Sequence, residues 1–324
     1  MTKIITTGIV AALLLVSPVS RAGAQAPATN STNAALRYWM AFAVMHDPPA
    51  DKATADLLER VVTGASPWDE GKLGRILDDN REALGIMQRA ATLPVCDWGL
   101  ETELGSNTPI EHLAKARALG RLSVLLGIRL AARGESSQAI DAWLASVRFS
   151  QHVAQGGSLI ALLSGRRVMT AALRALHVTA AKTSLDPATR KRIEAAVRAL
   201  PETGFDWAAA MRQEEASIDV NVRAMASAPD PKAYYARIAQ LPAAPADFTV
   251  PSAAEVAAFH AFMARIEAAL ALPRDQAKLK VAEAESTRGA LHPFFQRFVA
   301  RVSVGFDDIE IPARRQSLLD AVTR

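Results

Sequence analysis

Five times in this chain a helix-capping residue stands directly before a proline or three residues before an acid, and that recurrence constrains the fold most. Ser66-Pro67-Trp68-Asp69 combines a capping serine, a proline at the first helical position and an acid three residues after the cap. Thr108-Pro109-Ile110-Glu111 repeats it, Ser252-Ala-Ala-Glu255 is a capping box, and Asp186-Pro187 and Asp230-Pro231 are cap-plus-proline starts. A cap oxygen satisfies orphan backbone N–H groups, and proline there loses no hydrogen bond. No stretch of four or more residues alternates as a half-buried strand would. The chain therefore reads as all-α, built of antiparallel helical hairpins, with helices near 33–45, 51–62, 67–91, 109–132, 136–154, 158–181, 187–199, 205–226, 231–240, 252–271, 275–288 and 291–304, and a last one from about 311.

The first 26 residues stand apart. Lys3 precedes the apolar core Gly8–Val16, which is too short to span a bilayer, and Ala22-Gly23-Ala24 and Ala24-Gln25-Ala26 offer small-x-small cleavage patterns. Residues 1–26 are read as a cleaved export signal, which predicts a periplasmic or secreted protein with no stable membrane insertion after cleavage. Loss of Lys3 and Arg21 lowers the 37 basic residues to 35, against 33 acidic ones, a balance that carries no nucleic-acid message. Cys96 is the single cysteine, so an exported chain of this kind has no internal disulfide and depends on packing for stability. Half of the residues are apolar, enough for a sizeable core. The three prolines of Gln240–Pro251 interrupt the helices, giving a helical array over 27–240, a Pro-rich linker over 241–251 and C-terminal helices over 252–324. Phe248 and Val250 suggest that this linker is laid over a surface.

Leu126-Gly127, Leu130, Gly134, Ala139, Trp143 and Ser146 fall at the spacing of a tetratricopeptide unit. The physical content is close approach: Gly127 and Ala139 let two antiparallel helices nearly touch, and Trp143 fills the groove between them. Several further segments carry a resemblance: Cys96-Asp97-Trp98-Gly99, His112-Leu113-x-Lys115-x-Arg117-x-Leu119-x-Arg121, Arg133-Gly134, and His152-Val153 with Ser158-Leu159-Ile160. Together they resemble uncharacterised exported bacterial proteins in which a CDWG segment precedes a tetratricopeptide-like hairpin. The resemblance covers about Pro94 to Ala180 and implies architecture and compartment, with no activity to carry over.

The residues that could carry chemistry are few. Asp97 beside Cys96 raises the thiol pKa, the wrong direction for a nucleophile. Cys96-Asp97-Trp98 is therefore read as a corner in which Val95 and Cys96 turn inward, Asp97 binds turn N–H groups and Trp98 covers the hairpin. Arg117 and Arg121 share a helix face and could clamp a carboxylate or phosphate, or pair with acids of a neighbouring helix. Glu214 interrupts the apolar stripe Trp207, Met211, Ile218, and Glu215 sits at its edge; an ion pair from Glu214 to an arginine of the hairpin is expected. His152 and His177 stand near helix ends, where the helix dipole favours a charged imidazole. Histidine spacing supports no zinc site, no nucleotide-binding loop or serine elbow is present, and no catalytic residue, metal or cofactor is assigned. The expected function is non-catalytic binding of a peptide, protein or envelope component in a groove between hairpins. Its alternative is an enzyme or small-molecule binder whose cleft gathers Glu214, Glu215, Arg117, Arg121 and His152.

Overall fold

In the computed structural model, residues 32–49, 51–155, 157–299, 301–306 and 310–323 are described, so the expected export signal at 1–26 lies outside the described residues. Thr32–Arg324 is one compact unit, which holds every helix named here. These are α1 (Ala34–Val44), α2 (Lys52–Val62), α3 (Glu70–Asp79), α4 (Arg81–Ala90), α5 (His112–Ala132), α6 (Ser136–Ala154), α7 (Leu159–Lys182), α8 (Pro187–Arg198), α9 (Trp207–Ala226), α10 (Pro231–Ile238), α11 (Ala253–Leu270), α12 (Arg274–Ser286), α13 (Pro293–Phe298), α14 (Ser303–Phe306) and α15 (Glu310–Thr323). Among the described residues there is no strand; one isolated bridge joins Asn33 to Val95. The chain is all-α, and no described helix is long and apolar enough to cross a membrane.

Caps placed most starts. Asp186, Asp230 and Ser252 each accept the backbone N–H three residues on, and Glu255 completes the capping box of α11. Two expected starts move. Asp69, not Ser66, caps α3 by accepting from the Lys72 N–H at 3.1 Å, and Trp68 gives its indole N–H to Glu70. Thr108 gives its hydroxyl proton to the Glu101 carbonyl, and α5 begins at His112 without a side-chain cap.

The helix expected over 67–91 is two helices. Buried Asn80 stands between them with ψ near 11°, its side chain exchanging hydrogen bonds with both backbone groups of His46 and donating to the Ile76 carbonyl. The helix expected over 291–304 stops at Phe298. Arg288 donates to the carbonyls of Gln296 and Val299, taking up an acceptor that a further turn would use.

Three long helices form the centre. From Gly127 back to Ser123 along α5, contacts advance along α6 from Trp143 to Ser146, the register of an antiparallel hairpin. A Cβ on Gly127 would lie 2.2 Å from Trp143 Nε1, so the indole occupies the space that the missing side chain leaves. Trp143 is buried and donates its N–H to the Val124 carbonyl at 3.1 Å. Helix α7 returns along α6, with Gly165 packed against the Ser150 carbonyl, so α5 and α7 run in the same direction. Val168 of α7 meets α5 at Gly120. Phe248 of the Pro-rich segment stacks on Tyr235 at 4.3 Å, and Thr249 hydrogen-bonds His292 at 3.0 Å, as expected of a segment laid over a surface. The helices beyond it pack back on the earlier ones: α11 on α9, and α15 on α7 and α8.

Arg129 ties α3 to α5. Its buried guanidinium hydrogen-bonds both Glu70 and Asp78, and that contact holds both carboxyls down to about 2, below the ordinary carboxylate range. A carboxyl lowered on folding adds stability above its unfolded pKa, and that stability is lost as pH falls through the folded value. Arg129→Met should therefore lower the melting temperature by several degrees at neutral pH, and the gap should close as pH falls towards about 2. Thermal melts across that range check it; a gap that stayed constant would rule out these carboxylates as the partners.

Candidate functional site

The segment Pro94–Gly99 is an aromatic corner. Trp98 is buried, donates its indole N–H to the His152 carbonyl at 2.8 Å, and stacks on His112 at 4.6 Å. Tyr38 of α1 lies against Trp98 and Phe149, with its hydroxyl 2.7 Å from His152 Nδ1. Asp97 accepts the Gly99 N–H at 2.9 Å, as expected of a turn acid. Val95 departs from expectation: 49% exposed, it turns outward because its carbonyl takes the Ala34 N–H beside the bridge to Asn33. Burial first, and Asp97 second, push the Cys96 thiol up to about 12. A thiol-specific reagent should therefore react with native protein far more slowly than with protein in denaturant; equal rates would place the sulfur at the surface.

His152 is wholly buried, and desolvation, reinforced by the charge of Arg148, pulls its pKa down to about 4. The imidazole is neutral near pH 7, so the expected dipole-favoured charged histidine is replaced by a core group bound to Tyr38. Its place is inside the corner, away from open clefts.

Glu214 and Glu215 face different neighbours. The expected ion pair from Glu214 to an arginine of the hairpin is not what forms. Glu214 instead accepts the Leu159 N–H at 2.8 Å, at the start of α7, where the positive end of the helix dipole compensates it. Burial raises its pKa, and that N–H acts against the rise. Glu215 lies 2.6 Å from His260 Nδ1, and His260 Nε2 is 3.4 Å from Asp219. Burial and the neighbouring Glu215 push the Glu267 carboxyl up, so Glu215, His260, Asp219 and Glu267 form a polar seam between α9 and α11. No group of three or more His, Cys, Asp or Glu among the described residues could hold a metal ion.

Arg117 and Arg121 do share a cavity. A cleft of about 490 Å³ runs between α5 and α7, walled by Glu59 and Val62 of α2, by Thr63 just beyond it and by Glu310 of α15. Five arginines line it: Arg117 and Arg121 from α5, and Arg166, Arg167 and Arg174 from α7. The spacing of 117 with 121, and of 167 with 174, sets these side chains on one face of each helix. Two carboxylates answer them. Glu59 is 3.6 Å from Arg121, and Glu310 pairs with Arg174. Arg117 and Arg167 are exposed and have no ion-pair partner among the described residues. Burial pulls the Arg166 pKa down, Glu310 opposes this, and the charge of Arg167 adds to it. Guanidinium groups stay charged in proteins, so that direction reflects the burial of Arg166 and not a neutral side chain.

No family model, curated protein or solved structure matches the chain. The cleft's character therefore rests on its own residues. Of the five sequence candidates, Arg117 and Arg121 come together in it; Glu214, Glu215 and His152 do not line it. Arg166, Arg167 and Arg174 were missed, though they recur at helical spacing, as was His260 beside Glu215.

Proposed function

We propose that this chain is a non-catalytic helical binding protein of the periplasm or the cell exterior, whose cleft between α5 and α7 holds the anionic part of a peptide or envelope component. The observation that carries this reading is the imbalance of charge in the cleft: five guanidinium groups face two carboxylates, and Arg117 and Arg167 are unanswered among the described residues. Guanidinium forks bind carboxylate and phosphate oxygens bidentately, and two exposed guanidinium groups lining one cleft can receive one. The tetratricopeptide-like reading of α5 and α6, and the resemblance to exported proteins with a CDWG segment, belong to the same proposal. Paired helices packed through Gly127 and Trp143 supply a rigid wall on which α7 can lie. The aromatic corner is then a brace that fixes α1 against α6.

Immobilised protein should retain anionic components of a bacterial envelope extract and release them as salt rises, because guanidinium contacts at a partly open cleft are screened. The Arg117→Glu/Arg167→Glu double variant should retain none of those components. Equal retention by both proteins would move binding to another surface.

A further inference from the structure

Resting on that reading, we infer that the ligand is a phosphate monoester bearing a short aliphatic chain, its phosphate between Arg117 and Arg167 and its chain running past Ile160 towards Ile110. Two features of the groove lead there.

The first is the adjacency of two hollows. Arg117 lines the arginine cleft and also a second hollow of about 330 Å³, bounded by Asn107, Pro109, Ile110, Glu111, Leu113, Ala114 and Ile160. The walls change character along its length. Ile160 stands one turn before Ser164 on α7, and Leu113 and Ala114 one turn before Arg117 on α5, so the apolar section begins within about 5.4 Å of the cationic one. Ile160 is 47% exposed, a large apolar side chain left open beside a charged cleft. Glu111 borders this hollow and disfavours a second anionic group there, which fixes the orientation: charge among the arginines, hydrocarbon towards Ile110.

The second is the amount of charge. Among the described residues Arg121 is answered by Glu59, while Glu310 is shared by Arg166 and Arg174, so the two carboxylates leave an excess of positive charge in which Arg117 and Arg167 have no ion-pair partner. A carboxylate or a phosphate diester brings one negative charge, whereas a phosphate monoester brings roughly −1.5 to −2 at neutral pH. The monoester matches the open pair. The hollow of about 330 Å³ has room for a chain of a few carbons.

Isothermal titration with inorganic phosphate, methyl phosphate, butyl phosphate and pentanoate tests this on the full protein. Butyl phosphate should bind about tenfold more tightly than methyl phosphate through the apolar surface it buries. It should also bind about tenfold more tightly than pentanoate, which carries half the charge. Arg167→Glu should weaken every phosphate by at least about tenfold. Ile160→Asn should keep the affinity for inorganic phosphate and abolish the advantage of the butyl chain. Both positions are exposed, so unchanged melting temperatures are expected and verify that the variants fold. If methyl and butyl phosphate bound alike, or pentanoate matched butyl phosphate, this inference would fall while an anion-binding cleft stood. If no anion bound, or Arg167→Glu changed nothing, the proposed function would fall with it.

Discussion

Trp143→Ala should destabilise the protein by about 3–5 kcal/mol, the usual cost of emptying a large buried aromatic site. The indole is 1% exposed, seated over Gly127 and hydrogen-bonded to the Val124 carbonyl. Its loss opens a cavity along the α5–α6 contact rather than at an edge. The partner substitution makes the claim specific. Gly127→Ala places a methyl group 2.2 Å from Trp143 Nε1, so in the native background it should cost about 2–3 kcal/mol through forced separation of the helices. With alanine already at 143, the same methyl group enters empty space, and its better helix propensity contributes about 1 kcal/mol in its favour. Denaturant unfolding of the two single variants and the double variant should thus show strong non-additivity. Additive costs would mean that the glycine and the tryptophan do not touch.

Gly165→Ala should cost about 3 kcal/mol for a different reason. The new methyl group would stand 2.4 Å from the carbonyl oxygen of Ser150, and that oxygen belongs to the backbone of α6. A side chain can rotate aside, but a helix carbonyl moves only with its helix, so α6 and α7 must part along their length. The arginine cleft depends on this contact, since Arg166 and Arg167 follow Gly165 directly on α7. Gly289→Ala is the control: nothing lies within 4 Å of its added carbon, and its stability should stay within about 0.5 kcal/mol of the parent. If the two substitutions behaved alike in thermal melts, the close approach of α6 and α7 would be wrong.

The legible part of this fold was local. Asp186, Asp230 and Ser252 cap helices where the sequence says they should, because a cap acts over three residues. Gly127 and Trp143 were legible as a pair because a hairpin with a short turn brings near neighbours in sequence together. Asn80 hid its break because its partner, His46, is far back in the chain. The site was legible by halves for the same reason. Helical spacing places Arg117 with Arg121 on one face, yet the acids opposite them come from α2 and α15, at Glu59 and Glu310. Periodicity tells which side chains share a face and leaves open which helix that face will meet. Glu214 illustrates the same gap, since a buried carboxylate called for a cation and found the N-terminus of α7.

The claim that the cleft between α5 and α7 receives a doubly charged tetrahedral anion has one direct measurement: a crystal structure of the protein with tungstate, located by its anomalous scattering. The account predicts the strongest tungsten peak between the guanidinium groups of Arg117 and Arg167, absent from crystals of Arg167→Glu. A cleft without tungsten, with the ion bound at other basic side chains, would contradict it.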